Sequence, residues 1–273
     1  MNESAIRLET LCAANRARAL AYLARSPYEN VFLAYAIDAA SAALRRDIRV
    51  AIEGNRAIGV ALLASNVVLA AEPNALHAFA ALGRTSERTL LGPRPAVTEY
   101  WSIVRGAHPP PRLVRDRQPC MAVDGASLRC PSGRISVRLA REDEWETVAR
   151  NSAEMISGEI AADARGDSSE FGEGIRRMIA LRLWWVAECD GRLAFFCNVG
   201  AWTDATAQLQ GIWTPPEFRR RGIATAALGA ICRALLRTTP TLSLYVNDFN
   251  APALALYRRL GFREVGEMQT IFF

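Results

Sequence analysis

The sequence predicts an α/β (α+β) chain made of two similar halves, and three observations carry that reading. Each half holds a hairpin signal: β-rich runs over residues 47–53 and 56–63 meet at Gly54-Asn55, and runs over 183–189 and 192–199 meet at Asp190-Gly191. Both halves then keep one order of elements, α-α-β-β-β-α-β-α-β, which suggests a tandem of similar folds. Between them lies DGASLRCPSGR, residues 124–134, small, polar and glycine/proline-bearing, as a linker should be. The expected division is 1–124, linker 125–134, and 135–273.

Hydrophobic periodicity assigns the elements in order. The first half reads as helices over 6–24 and 28–44, the second capped by Ser26 with Pro27 in its first turn. The hairpin follows, then a strand at 67–71, a helix at 74–82, a short strand at 89–91, a helix at 96–104, and strands near 112–115 and 120–123. The second half reads as a strand at 135–139, helices over 142–156 and 170–181, the hairpin, and a strand at 207–214 that runs into Pro215-Pro216. A helix at 222–237, a strand at 242–246, a helix at 251–260 and two terminal strands, 262–267 and 269–273, complete it.

Composition narrows the chemistry. All 33 basic side chains among the 273 residues are arginine, which excludes Schiff-base, pyridoxal-lysine, Ser-Lys and P-loop or kinase lysine mechanisms. Only His77 and His108 are available to a histidine-dependent triad or zinc centre. The N-terminus does not read as a signal peptide, and no apolar run is long enough to span a membrane, so the expected location is cytoplasmic, with no membrane partner. Six cysteines without a CxxC pair read as small hydrophobes of a reducing compartment. A net charge of +5 suits a polyanionic cofactor as well as a nucleic acid and does not choose between them.

The most informative segment is GIWTPPEFRRRGIATAA, residues 211–227, where a strand ends at prolines and an arginine-glycine turn opens a small-residue helix. Free N–H groups at such a helix start converge on an anion, Gly222 lets it approach the chain, and the forks of Arg219, Arg220 and Arg221 add charge. A second constellation follows in SLYVNDFNAPALALYRRLGF, residues 243–262: a strand, an Asx-rich turn, a helix ending in a tyrosine, and a glycine that stops it.

Together, Arg219-x-x-Gly222-x-Ala224 and the later Asn250 and Tyr257 within LYRRLGF resemble the GCN5-related N-acetyltransferase (GNAT) family over residues 134–273. The first half resembles the domain found ahead of some actinobacterial-type GNAT proteins and reads as a degenerate copy, because ASNVVLAAEPNALHAF carries no arginine-glycine turn. The resemblance implies two tandem GNAT-like domains, each a mostly antiparallel central sheet flanked by helices. It further implies acetyl-CoA or another acyl-CoA as cofactor, and a small-molecule or peptide amine as acceptor, with no nucleic acid. Ile212, Trp213 and Thr214 would then serve the pantetheine arm, Arg221, Gly222, Ile223, Ala224 and Thr225 the pyrophosphate, and Arg219 or Arg220 the outer phosphates. Asn250 would contact the pantetheine region and Tyr257 would act as general acid near the thioester sulfur.

The general base is less legible. Where relatives place a carboxylate on the central strand, this chain has Gln208; Glu159, Asp163, Glu188 and Glu217 remain, and Glu159 is preferred because the second-helix region forms the acceptor wall in that family. Trp184, Trp185, Phe195, Phe196 and Trp202 fit a core better than an acceptor pocket at strand spacing. The leading expectation is an acyl-CoA-dependent N-acyltransferase. The alternatives are an acyl-CoA-sensing module without turnover and an aminoacyl-tRNA-dependent transferase.

Overall fold

The computed structural model describes residues 5–39, 42–83, 86–130, 135–160 and 168–273, with backbone only at 42–44, 159–160 and 168–169. Its contacts divide the chain into two compact units. The first is Met1–Met121 with Tyr245–Ala251 and Glu264–Phe273, and the second is Ala122–Leu244 with Pro252–Arg263. These units do not follow a single cut at the 125–134 linker, because the last strand of the chain packs with the first half.

The first unit begins with β1 (Arg7–Thr10), α1 (Ala13–Leu23), α2 (Val31–Ala39) and α3 (Ala42–Asp47). The helix expected over 6–24 is therefore shortened: Arg7 to Thr10 pair antiparallel with the next strand, and that tertiary ladder overrides the local helical pattern. Asn15 starts α1 by accepting the Cys12 N–H at 2.9 Å. The helix expected over 28–44 appears as two, with residues 40–41 outside the described set.

Strands β2 (Ile48–Glu53), β3 (Arg56–Leu63) and β4 (Asn66–Ala71) form an antiparallel meander. Helix α4 (Pro73–Ala80) leads to β5 (Thr89–Pro93), parallel to β4, and then to α5 (Arg94–Val104). Strand β3 is buried on both faces. Ala57, Val60 and Leu62 join Ala19, Leu23, Leu33 and Ile37 from α1 and α2, while Ile58, Ala61 and Leu63 join Leu76, Phe79, Val97 and Tyr100 from α4 and α5.

One strand, β6 (Leu113–Asp124), replaces the two expected near 112–115 and 120–123. Pro119 does not break it; the Pro119 carbonyl accepts the Val246 N–H at 3.2 Å, so the residue still contributes to pairing.

The second unit follows with β7 (Val137–Leu139), a 3-10 turn at Glu142–Glu144, α6 (Trp145–Ile160), α7 (Ser168–Ala180) and the hairpin β8 (Trp184–Cys189) and β9 (Arg192–Trp202). Then come β10 (Ala207–Trp213), a 3-10 turn at Pro216–Phe218, α8 (Ile223–Leu235), β11 (Thr241–Tyr245) and α9 (Ala251–Arg259). Strands β7 to β10 pair antiparallel in sequence, and β10 pairs parallel with β11. Val148, Ile175, Ile179, Trp184, Val186 and Phe196 pack α6 and α7 on this sheet, so Trp184 and Phe196 are core side chains, as their spacing suggested. Phe195 and Cys197, alternating with Phe196, turn to the other face, where α8 lies against β8 and β9.

The chain ends in a single strand, β12 (Arg263–Phe272), where two were expected. It runs antiparallel to β5 from Met268 to Phe272 and stands between β5 and β6 in the first unit. No turn interrupts it at Gly266, which instead lets the Glu29 carboxylate approach to where a Cβ would be. Gln118 of β6 ties the strand in place, accepting from Thr270 Oγ1 at 2.6 Å and donating to Asn247 at 3.0 Å. A buried amide satisfied on both sides rewards one register only.

All six cysteines are free thiols. Cys120, Cys197 and Cys232 are buried, and burial pushes the Cys120 thiol up to about 12, whereas Cys12 is exposed at the start of α1. Among the described residues no helix is long and apolar enough to cross a membrane.

Ile271 is fully buried with side chains of β3, β4, α4 and α5. Ile271→Ala should therefore destabilise the first unit by about 2–5 kcal/mol. Denaturant unfolding followed by a probe within residues 5–121 reads this, and an unchanged midpoint would show that β12 does not support that unit.

Candidate functional site

The site is set up by where β10 loses its neighbour. Its ladder with β11 covers only Ala207 and Gln208, opposite Leu242 and Ser243, although β11 continues to Tyr245. On its other side β9 follows it to the end, with Trp213 opposite Phe196, through register shifts after Gln208 and after Gln210. Gly211 sits in this irregular stretch at φ +56, and a Cβ there would stand 2.7 Å from Asn198 Oδ1. Both constraints call for glycine. The backbone of residues 209–213 thus has no ladder partner in β11.

Beyond Trp213, Pro215 and Pro216 stop the strand. Phe218 is buried and anchors the turn, its N–H donating to the Pro215 carbonyl at 2.9 Å. The guanidinium carbons of Arg192 and Arg221 lie 5.1 and 5.7 Å from its ring centre. Arg219 donates from Nε to the Thr214 carbonyl at 3.0 Å, with its guanidinium carbon 6.0 Å from the Trp213 ring. Arg221 also reaches Cys189 Sγ at 3.8 Å. Arg219, Arg220, Arg221 and Gly222 are all exposed.

Two successive left-handed kinks, Arg220 at φ +57 and Gly222 at φ +77, turn the chain into α8. Gly222 is its N-cap, without a side-chain cap, and nothing lies within 4 Å of where its Cβ would be. The first i to i−4 bond of the helix is Ala226 N–H to the Gly222 carbonyl, 3.1 Å, so the N–H groups of Ile223, Ala224 and Thr225 have no intrahelical acceptor. An open glycine, three helix N–H groups without an intrahelical acceptor and three exposed arginines are the kind of features that favour an anion.

Tyr257 closes α9 in the same unit. The Phe262 N–H reaches back to the Tyr257 carbonyl at 3.0 Å, and the Gly261 N–H to the Arg258 carbonyl at 3.1 Å, with Gly261 at φ +94. This is a Schellman ending, and the apolar contact that accompanies such endings is present, with the Tyr257 and Phe262 rings 5.9 Å apart. Tyr257 is therefore buried in one fixed place by LYRRLGF itself. Asn250 lies in the turn before α9, its N–H donating to the Asn247 carbonyl at 2.9 Å.

Of the carboxylates considered as bases, Asp163 and the Glu159 side chain lie outside the described residues. Glu188 is held by Arg138 and Glu217 by Arg192. Gln208 is buried, and its Oε1 accepts from Gln210 Nε2 at 2.8 Å. A groove of about 400 Å³ opens instead where the end of β10 meets the polar face of α6, lined there by Trp213, Thr147, Arg150, Asn151 and Glu154. Sequence reasoning missed this face. Its only signal is four polar residues at helical spacing i, i+3, i+4, i+7, which an ordinary solvated face also produces.

The first unit repeats the topology without the site. After β4 the N-cap of α4 is Glu72, followed by Pro73, where the second unit has Gly222. The Glu72 carboxylate makes no cap bond to the helix and accepts instead from Arg25 at 2.8 Å and from Arg56 at 2.9 and 3.1 Å. The parallel strands also stay together: a Cβ on Gly92 of β5 would fall 2.1 Å from the Leu69 carbonyl oxygen of β4.

Residues 158–262 match the model of the acetyltransferase (GNAT) family, and residues 50–148 match a domain of unknown function (DUF4081). A mycothiol acetyltransferase from Acidimicrobium ferrooxidans is 41% identical over 86 residues, 28% of this chain and 26% of that protein. The similarity thus spans about a quarter of the curated relative. A GNAT-family acetyltransferase from Colwellia psychrerythraea has the same fold at a TM-score of 0.63 and 12% identity, covering 98% of this chain and 100% of the other. A tandem GNAT protein from the clavulanic acid biosynthesis pathway gives 0.57 at 15% identity, covering 97% and 98%.

One wall of the groove is fixed by Glu144, which accepts two 2.7 Å bonds from Arg138 and one from the Arg141 N–H. The Arg138 guanidinium holds its carboxyl below the usual carboxylate range. A lowered folded value contributes stability above the unfolded pKa and loses it as pH falls through the folded one. Glu144→Gln should therefore flatten the acid side of the stability profile of the second unit. Urea titrations across the acid range test this, and parallel profiles for the two proteins would refute it.

Proposed function

From the match of residues 158–262 to the acetyltransferase (GNAT) family model, we propose that the chain is an acyl-CoA-dependent N-acyltransferase, moving acetyl from acetyl-CoA to a primary amine on a small molecule or peptide. The carrying observation is the parting of β10 from β11 directly ahead of the arginine-glycine turn and the uncapped start of α8. Unspent backbone groups for an amide-bearing arm and an open cationic helix start for phosphates occur together there.

Bound acetyl-CoA supplies an activated acyl thioester. The chain supplies position and charge. Backbone groups of Ile212, Trp213 and Thr214 align the arm and offer an N–H toward the carbonyl oxygen as negative charge develops on it. The N–H groups of Arg221, Gly222, Ile223, Ala224 and Thr225 take the pyrophosphate, and Arg219 and Arg220 the outer phosphates. Tyr257 holds at Oη the proton that the departing sulfur requires. A phenol near pKa 10 is a weaker acid than a thiol near 8.5, so that transfer is uphill by about 1.5 pKa units, about 2 kcal/mol, a small cost beside the barrier of the reaction. Burial of the ring keeps bulk water from replacing it.

The base that receives the amine proton is the open part of the reading. Glu159, at the last turn of α6, remains the proposed residue. A non-catalytic acyl-CoA-binding module is the competing reading, supported by the buried Gln208, bonded to Gln210, on the central strand in place of a carboxylate.

Calorimetric titration with acetyl-CoA should give one site per chain, because the corresponding helix start in the first unit has Glu72 and Pro73 in place of an arginine-glycine turn. Gly222→Val should weaken binding at least about tenfold, by straining a left-handed residue and filling the open space above the helix. Tyr257→Phe should keep acetyl-CoA binding while lowering kcat by about a hundredfold or more. Absence of acetyl-CoA binding would overturn the proposal; tight binding without turnover on a broad amine panel would establish the competing reading.

A further inference from the structure

The groove beside Trp213 carries charges that the fold itself does not use. Around its rim most ionised groups are spent on one another: Glu144 and Glu188 on Arg138, Arg141 on Glu144, and Glu217 on Arg192. The α6 face is different. Arg150 bonds only the Thr147 hydroxyl, at 3.3 Å, and among the described residues neither Arg150 nor Glu154 has an oppositely charged group within 4 Å, although one helical turn separates them. Asn151 presents a carboxamide on the same face and also spends it on no protein partner among the described residues. A guanidinium fork bonded only to a hydroxyl, a carboxamide and a carboxylate, none of them in an ion pair among the described residues, therefore line a groove of about 400 Å³, which lies within the size range of small-molecule sites.

We propose that this groove is the acceptor subsite, and that it takes an amine that also carries an anionic group, with the ammonium against Glu154 and the anion against Arg150. This rests on the acyltransferase reading above and gives its acceptor a chemical class. A planar fork pairs with a carboxylate or a phosphate through two bonds, which a neutral amine cannot use. A carboxylate without its own cation favours an ammonium over a hydroxyl of the same shape. The rims add little net charge because they are internally paired, so selection falls on the two unspent groups. Trp213 is the last residue of β10, at the end that leads into the arginine-glycine turn, which places the subsite beside the proposed donor site rather than elsewhere on the unit.

The test uses the full chain and matched probes. Glycine, β-alanine, 4-aminobutyrate and 6-aminohexanoate are compared with alkylamines of equal length, and glucosamine 6-phosphate with glucosamine, so that a carboxylate and a phosphate source are separated. The anionic member of at least one pair should be preferred at least tenfold in kcat/KM. Arg150→Gln should bring that preference close to one, and Glu154→Gln should raise KM for the preferred amine, while acetyl-CoA affinity stays unchanged in both variants. Saturation-transfer NMR of 6-aminohexanoate and glucosamine 6-phosphate gives a readout without turnover, and the signal of the preferred probe should vanish in Arg150→Gln. Equal use of neutral and anionic amines, a preference that survives Arg150→Gln, or no binding of either anionic probe would overturn the subsite. Loss of acetyl-CoA binding alone, with probe binding intact, would instead count against the acyltransferase reading.

Discussion

The chemistry of the second unit depends on a ladder that stops early. β10 and β11 share two residues, and from Leu209 onward β10 is held only by β9. A strand that loses one neighbour inside a sheet leaves polar backbone groups that must find other partners. The register shifts around Gly211 absorb the resulting kink, and the close approach of Asn198 keeps the position free of a side chain. The prolines, the Phe218 anchor and the arginine turn then follow in order, so the free strand edge and the open helix start are presented by one continuous segment.

The first unit shows what happens when the same topology lacks these features. Its three antiparallel pairings and one parallel pairing repeat the pattern, but Gly92 brings β5 against β4, and the helix start carries Glu72 and Pro73, with the Glu72 carboxylate paired to Arg25 and Arg56. Two hydrophobic clusters pack on its sheet, and its terminal strand comes from the far end of the chain.

That recruitment links the ends of the sequence. Tyr257 and the Schellman ending belong to the second unit, while the residues from Glu264 onward belong to the first. The short passage between them runs from the proposed general acid into the strand bonded to Gln118. A boundary drawn along the chain therefore cannot separate the two bodies cleanly.

Most of the element order was legible because hydrophobic period, hairpin dipeptides and helix stops are local signals. The turn into α8 and the end of α9 were legible for the same reason: Gly222 and Gly261 both hold left-handed angles that favour glycine. What local signals could not carry was pairing between distant segments. β1 reads as helix until β2 is beside it, β12 reads as two strands until Thr270 meets Gln118, and the α6 face reads as ordinary solvated surface until Trp213 closes a groove over it. The sequence by itself determined the two-fold order of elements, the all-arginine cation set and the arginine-glycine turn into α8, each encoded within a few neighbouring residues. Only the tertiary structure decided which unit owns the last strand, that β10 leaves β11 after two residues, and which charges remain unspent, because each of these depends on the partner that a distant segment supplies.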